Sequence, residues 1–211
     1  SQLVSAEEMQ SLLAAGNHRA MDTITSGINQ LPTDYASRVE NFLIEYIGTH
    51  DRPVPFGGRD ADIDHLNDWL DDSSAPRYML LAAPAGRGKS ALLVHWSRRS
   101  LARDDVHIVF FPVSIRFRTN LSNVVFAALT ARLAKLHGER IPYDPHTPPE
   151  VWQKLMTDFL VRPLARGERL LLILDGVDEA ADWEPGPHLF PLDPPSGLRI
   201  VLSARYRAGD I

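Results

Sequence analysis

The sequence contains no cysteine in 211 residues. That excludes disulfides, thiolate metal sites and cysteine nucleophiles, and it fits a reducing compartment. No apolar run approaches the roughly 18 residues that a membrane-spanning helix needs. The longest, Leu170–Leu174, has the length of a buried strand. The opening Ser1-Gln2-Leu3-Val4 lacks the basic-then-apolar layout of a secretory leader, so a soluble, cytoplasmic protein without membrane partners is expected. Nor is there an excess of positive charge. The balance of 22 Lys and Arg against 27 Asp and Glu leaves a net −5, which speaks against coating nucleic acid. The eight histidines are scattered with no H-E-x-x-H spacing, which speaks against a zinc hydrolase. Internal repeats and low-complexity tracts are also missing.

What is present is an ordinary globular composition, 44% hydrophobic and 23% charged, long enough for one sizeable domain plus an appendage. Residues 1–50 read as a helical segment. Ser5-Ala6-Glu7-Glu8 has the form of a capping box, and Gly16-Asn17 supplies a stop. Met21, Ile24, Ile28 and Leu31 recur at helical spacing until Pro32, and Tyr35, Val39, Phe42, Leu43, Tyr46 and Ile47 form a second stripe. Such a segment serves as a linker, as packing for the next domain, or as a recruitment or oligomerisation module. Asp51–Gly58, rich in proline and glycine, marks the hinge into a second unit, residues 51–211. A short helix over Asp62–Leu70 follows, and then the chain alternates. Strands are predicted at Tyr78–Ala82, Val106–Ile115, Arg169–Leu174 and Leu198–Ser203, and helices at Lys89–Ala102, Asn120–Leu136 and Val151–Leu164. That alternation predicts an α/β domain with a parallel sheet, and the apolar Tyr78–Ala82 run predicts a strand covered on both faces. The Pro-x-x-Pro spacings in Ile141–Pro149 read as an ordinary loop.

Between the first of these strands and its helix stands Ala83–Ser90, A-P-A-G-R-G-K-S. A triphosphate carries dense negative charge on small oxygens, and a glycine-rich turn at a helix N-terminus presents backbone amides to it. This is a P-loop. Ala83, Pro84, Ala85, Gly86, Arg87, Gly88, Lys89, Ser90 and Ala91 are the predicted phosphate cradle. Lys89 is expected to reach the β- and γ-phosphates, and the Ser90 hydroxyl to ligate Mg²⁺. Ala83 stands where the strict pattern has its first glycine, which is harmless if that position needs no positive φ.

Leu170–Leu174 leads into Asp175, a carboxylate at the C-terminal end of a buried strand, where open parallel sheets bind ligands. Asp175 is the second predicted Mg²⁺ ligand. Asp178 and Glu179 follow, and such crowding of carboxylates is unfavourable without a compensating cation. Either can polarise the attacking water, with Glu179 preferred and Asp178 the competitor.

Taken together, these residues resemble the STAND class of signal-transducing P-loop NTPases, and within it the NACHT branch. Leu170–Ala180, L-L-L-I-L-D-G-V-D-E-A, resembles the NACHT form of the Walker B motif, with a small residue after the Mg²⁺ aspartate and an acidic pair further on. Phe56-Gly57-Gly58-Arg59 resembles the lead-in motif whose backbone lies against the nucleotide base, which puts Phe56, Gly58 and Arg59 among the nucleotide contacts. Val109–Arg116 is similar to the family's second strand, and Arg199–Arg205 to its sensor 1 strand, whose terminal arginine, Arg205, faces the γ-phosphate.

The resemblance implies a three-layer α/β/α P-loop NTPase of the additional-strand type, with a mostly parallel sheet ordered 5-1-4-3-2 and the N-terminal helices in front. It implies ATP/ADP and Mg²⁺ as cofactors, slow hydrolysis, self-association in the ATP state, and attached effector and sensor parts, in defence, cell-death or regulatory signalling. Four strands are predicted here, so the expectation is a piece of a longer protein, cut short on its C-terminal side, that alone binds nucleotide weakly and barely turns it over. The alternatives are an AAA+-like ATPase, which usually has Glu directly after the strand-end Asp where Gly176 sits, and a small-molecule kinase, which needs an acceptor pocket and an arginine-bearing lid.

Overall fold

The computed structural model describes residues 6–28, 31–49, 51–165 and 167–206. Among the described residues the α-helices and strands run α1 (Ala6–Thr25), α2 (Thr33–Ile47), α3 (Asp60–Asp71), β1 (Tyr78–Ala82), α4 (Lys89–Ser100), β2 (Val106–Pro112), α5 (Ser122–Leu136), α6 (Pro149–Leu160), β3 (Arg169–Asp175) and β4 (Leu198–Ala204). The strands form one parallel sheet in the order β1-β4-β3-β2.

That order follows from chain direction. The crossover β1-α4-β2 runs one way across the sheet and β2-α5-α6-β3 runs back, so right-handed connections put α4 on one face and α5–α6 on the other. β3, Arg169–Asp175, is buried along nearly its whole length as a result, and α5 is buried on almost every side. Each fully buried Leu, Ile or Phe of this core contributes roughly 1.5–3 kcal/mol. α2 belongs to the same core: Phe42 packs against Phe110 and Phe117, at ring distances of 6.2 and 5.5 Å.

Several expected boundaries move. Helix α1 continues through Gly16-Asn17, because Asn17 is buried and its amide donates to Ile47 O (2.9 Å) and accepts from Arg98 Nη1. Tertiary bonding offsets the cost of about 1 kcal/mol for a helical glycine. The expected capping box depends on Ser5, which lies outside the described residues. β2 stops at Pro112 rather than Ile115, since a turn closes there with Thr119 N donating to Ser114 O (2.9 Å). α5 starts at Ser122 rather than Asn120, because Asp182 caps it from another loop, accepting from Ser122 N and Oγ at 2.7 Å each. α6 occupies Pro149–Leu160 rather than 151–164, with Pro149 in its first turn and Pro163 beyond its end.

The expectation that β1 is covered on both faces does not hold among the described residues. β1 is an edge strand whose burial alternates, and Leu80 is 62% exposed. An uninterrupted apolar run reads as doubly buried whether or not both faces have partners.

Candidate nucleotide site

Parallel register lines up the strand ends on one rim: Ala82 pairs with Ala204, Leu174 with Leu202, and Pro112 with Asp175. The P-loop leaves β1 at this rim and enters α4. Gly86 (φ 75°) and Gly88 (φ 73°) take the left-handed region that glycine tolerates, while Ala83 does not, so alanine stands there without strain. No side chain caps the N-terminus of α4. Its first amides are therefore free for an anion, and the loop from Ala85 to Gly88 is exposed. Lys89 folds back and donates to Ala83 O (2.7 Å) and Pro84 O (3.2 Å), which holds the ammonium over the loop.

Asp175 is 2% exposed. Burial raises its pKa, opposed by hydrogen bonds from Ser203 and Ser90 and by the Lys89 charge. The Ser203 hydroxyl donates to Asp175 Oδ1 and in turn accepts from Gly176 N (2.9 Å). Ser90 also hydrogen-bonds with the Tyr46 hydroxyl of α2. The donor set fits magnesium: a hydroxyl and a carboxylate, both hard oxygens, in contact beside a phosphate cradle. Among the described residues no group of three or more His, Cys, Asp or Glu could hold a metal.

Gly176 has φ 83°, and a Cβ there would meet Val113 O at 2.6 Å. Beyond it, Asp178 and Glu179 are closed onto Arg205. Asp178 accepts from Arg205 N (2.9 Å) and Nε (2.6 Å); Glu179 pairs with Arg205 Nη2 (2.9 Å) and accepts from Ile115 N (2.7 Å). The Arg205 pKa is raised, first by the bond to Asp178. Arg205 thus supplies the cation that the acidic pair needs.

The lead-in segment is tied to the same site. Arg59 Nη1 donates to Arg87 O in the P-loop (3.1 Å), and Gly58 sits at φ 72°. Phe56 turns inward and stacks on His95 at 4.0 Å. Burial pushes His95 down to about 4, so the neutral ring donates Nε2–H to Tyr46 O (3.0 Å). Phe56, His95, Tyr46, Ser90, Asp175 and Ser203 form a continuous path from the lead-in to the strand-end carboxylate. Sequence reasoning missed Ser203 and Tyr46. The strand order puts a β4 hydroxyl next to Asp175, so topology was the signal for Ser203; Tyr46 stands in an apolar stripe and carried none.

The family model described as AAA ATPase domain matches residues 55–201. Among curated proteins, NACHT, LRR and PYD domains-containing protein 6 of Rattus norvegicus is 30% identical over 168 residues, a match covering 74% of this chain and 17% of that protein. The chain therefore spans well under a fifth of that relative's length. Among solved structures, Cdc6p from Pyrobaculum aerophilum aligns with a TM-score of 0.45 at 15% identity, over 79% of this chain and 43% of that one.

Proposed function

The chain belongs to the AAA ATPase domain family, and from that premise we propose that it is the nucleotide switch module of a STAND-class, NACHT-like signalling ATPase. Residues 51–211 form its nucleotide-binding unit and residues 1–50 a helical arm. ADP–ATP exchange and slow hydrolysis control self-association and an attached effector in the cytoplasm, in defence, cell-death or regulatory signalling.

One observation carries this reading. AAA+ motors usually place a catalytic glutamate directly after the strand-end aspartate, but the Gly176 backbone and the approach of Val113 O leave no room for a side chain there. The acidic function falls to Asp178 and Glu179, as in the NACHT pattern, and the name of the rat relative points the same way.

The P-loop amides and Lys89 bind the phosphates, Ser90 and Asp175 hold Mg²⁺, and the lead-in backbone at Gly58 and Arg59 lies against the base. Held by Ser90 and Asp175, a magnesium ion would supply positive charge to offset that of the phosphates. A γ-phosphate competes with Asp178 and Glu179 for Arg205; once released, Glu179 can accept a proton from water. ADP lacks that competitor and leaves the clamp closed. Separate calorimetric titrations with ATP and ADP, together with turnover measurement, test the proposal. A preference for retained ADP over ATP, with negligible turnover, is expected. Rapid multiple turnover with release of ADP would favour an AAA+ motor instead.

A further inference from the structure

A cavity of about 410 Å³ lies between α1, α5 and the first half of β2, Val106–Val109, away from the strand ends that carry the P-loop. Its polar lining is basic. Arg132 of α5 is 6% exposed and uses one nitrogen, Nη2 donating to Ile108 O (2.7 Å), while Nε and Nη1 have no partner. No carboxylate offsets its charge: burial alone pulls the Arg132 pKa down, to about 9. Arg19 of α1 and Lys135 of α5 line the same space, and neither side chain pairs with a described residue. Thr23 and Ser26 add hydroxyls, and His107 at the margin is already paired with Glu168 (3.0 Å). No described lining residue is acidic.

A buried guanidinium without a counter-ion is unfavourable, and two more cations around the same cavity add to the repulsion. We infer that this cavity is a second anion site, built to take the phosphate group of a small molecule and separate from the nucleotide site. Its size is that of a small-molecule pocket rather than a macromolecular groove. A phosphate dianion in the cavity pairs with the Arg132 guanidinium, whose planar fork suits such oxygens and whose charge has no carboxylate partner, while Arg19 and Lys135 line the same space from α1 and α5. Occupancy joins α1 to α5 through the ligand. The inference does not rest on the nucleotide reading.

Thermal unfolding of the 211-residue chain at constant ionic strength tests it, with inorganic phosphate and glycerol 3-phosphate titrated separately. The experiment is run on the wild type and on Lys89→Ala, which disables the P-loop. A saturable rise in Tm is expected in both proteins, and the stronger of the two probes identifies free phosphate or a phosphate monoester as the occupant. Arg132→Leu should abolish the response. Should that variant not fold, the exposed pair Arg19→Gln and Lys135→Gln serves, with affinity lowered about tenfold or more as two charge-assisted bonds are lost. A shift that does not saturate, that vanishes in Lys89→Ala alone, or that keeps its affinity in the double variant overturns the inference.

Discussion

Gly176 has two independent reasons to be glycine, a positive φ and a Val113 oxygen where a Cβ would be. Gly176→Ala is expected to lower stability by about 1–3 kcal/mol, read as a lower denaturant midpoint with an unchanged slope. Asp175 is held in the opposite tension. Burial raises its pKa, so its stabilising contribution belongs to the protonated form, present below the ordinary carboxylate range and lost as pH rises through the raised value. At neutral pH the charged form is a liability in the ligand-free fold. Asp175→Asn should therefore raise the ligand-free Tm by roughly 2–4 °C while removing the extra stabilisation that Mg²⁺ confers on nucleotide binding. A lower ligand-free Tm in that variant would show that its hydrogen bonds from Ser203 and Ser90 outweigh the burial penalty.

Elements here are bounded by side chains that arrive from elsewhere in the chain. α5 has no capping residue of its own, and Asp182, beyond β3, takes that role while Trp183 donates to Asn120 O (3.0 Å) and packs edge-on against Phe126. Asp182→Ala should cost about 1–2 kcal/mol in thermal or denaturant unfolding, a cap and a favourable helix-dipole charge being lost together. This dependence explains what the sequence could and could not disclose. The P-loop and the Leu170–Asp175 strand end were legible because their chemistry lies in local spacing. The continuation of α1 through Gly16 and the start of α5 at Ser122 were not, since Asn17 and Asp182 act on distant partners. The exposed face of β1 was hidden for a similar reason: apolar character reports preference for burial, not the presence of a cover. The Arg205 clamp was half legible. Its strand and register pointed to the site, but its closure on Asp178 and Glu179 depends on β4 lying beside β3.

At the scale of the molecule, the helical arm and the nucleotide unit share one core and one polar path. α2 supplies Phe42 to the core and Tyr46 to Ser90, so the arm touches the residue proposed to hold Mg²⁺. On the proposed reading, an arm so placed senses whether the site is filled, and the Arg205 clamp senses which nucleotide fills it. Both ideas require that phosphates sit in the Ala83–Ser90 loop. The most direct measurement is calorimetric titration of Mg-ATP and Mg-ADP into the wild-type chain and Lys89→Ala. Saturable binding by the wild type and a loss of about 100-fold or more in the variant are expected, since the proposal has Lys89 making charge-assisted bonds to the phosphates. Equal affinity in the two proteins would contradict the site and, with it, the switch.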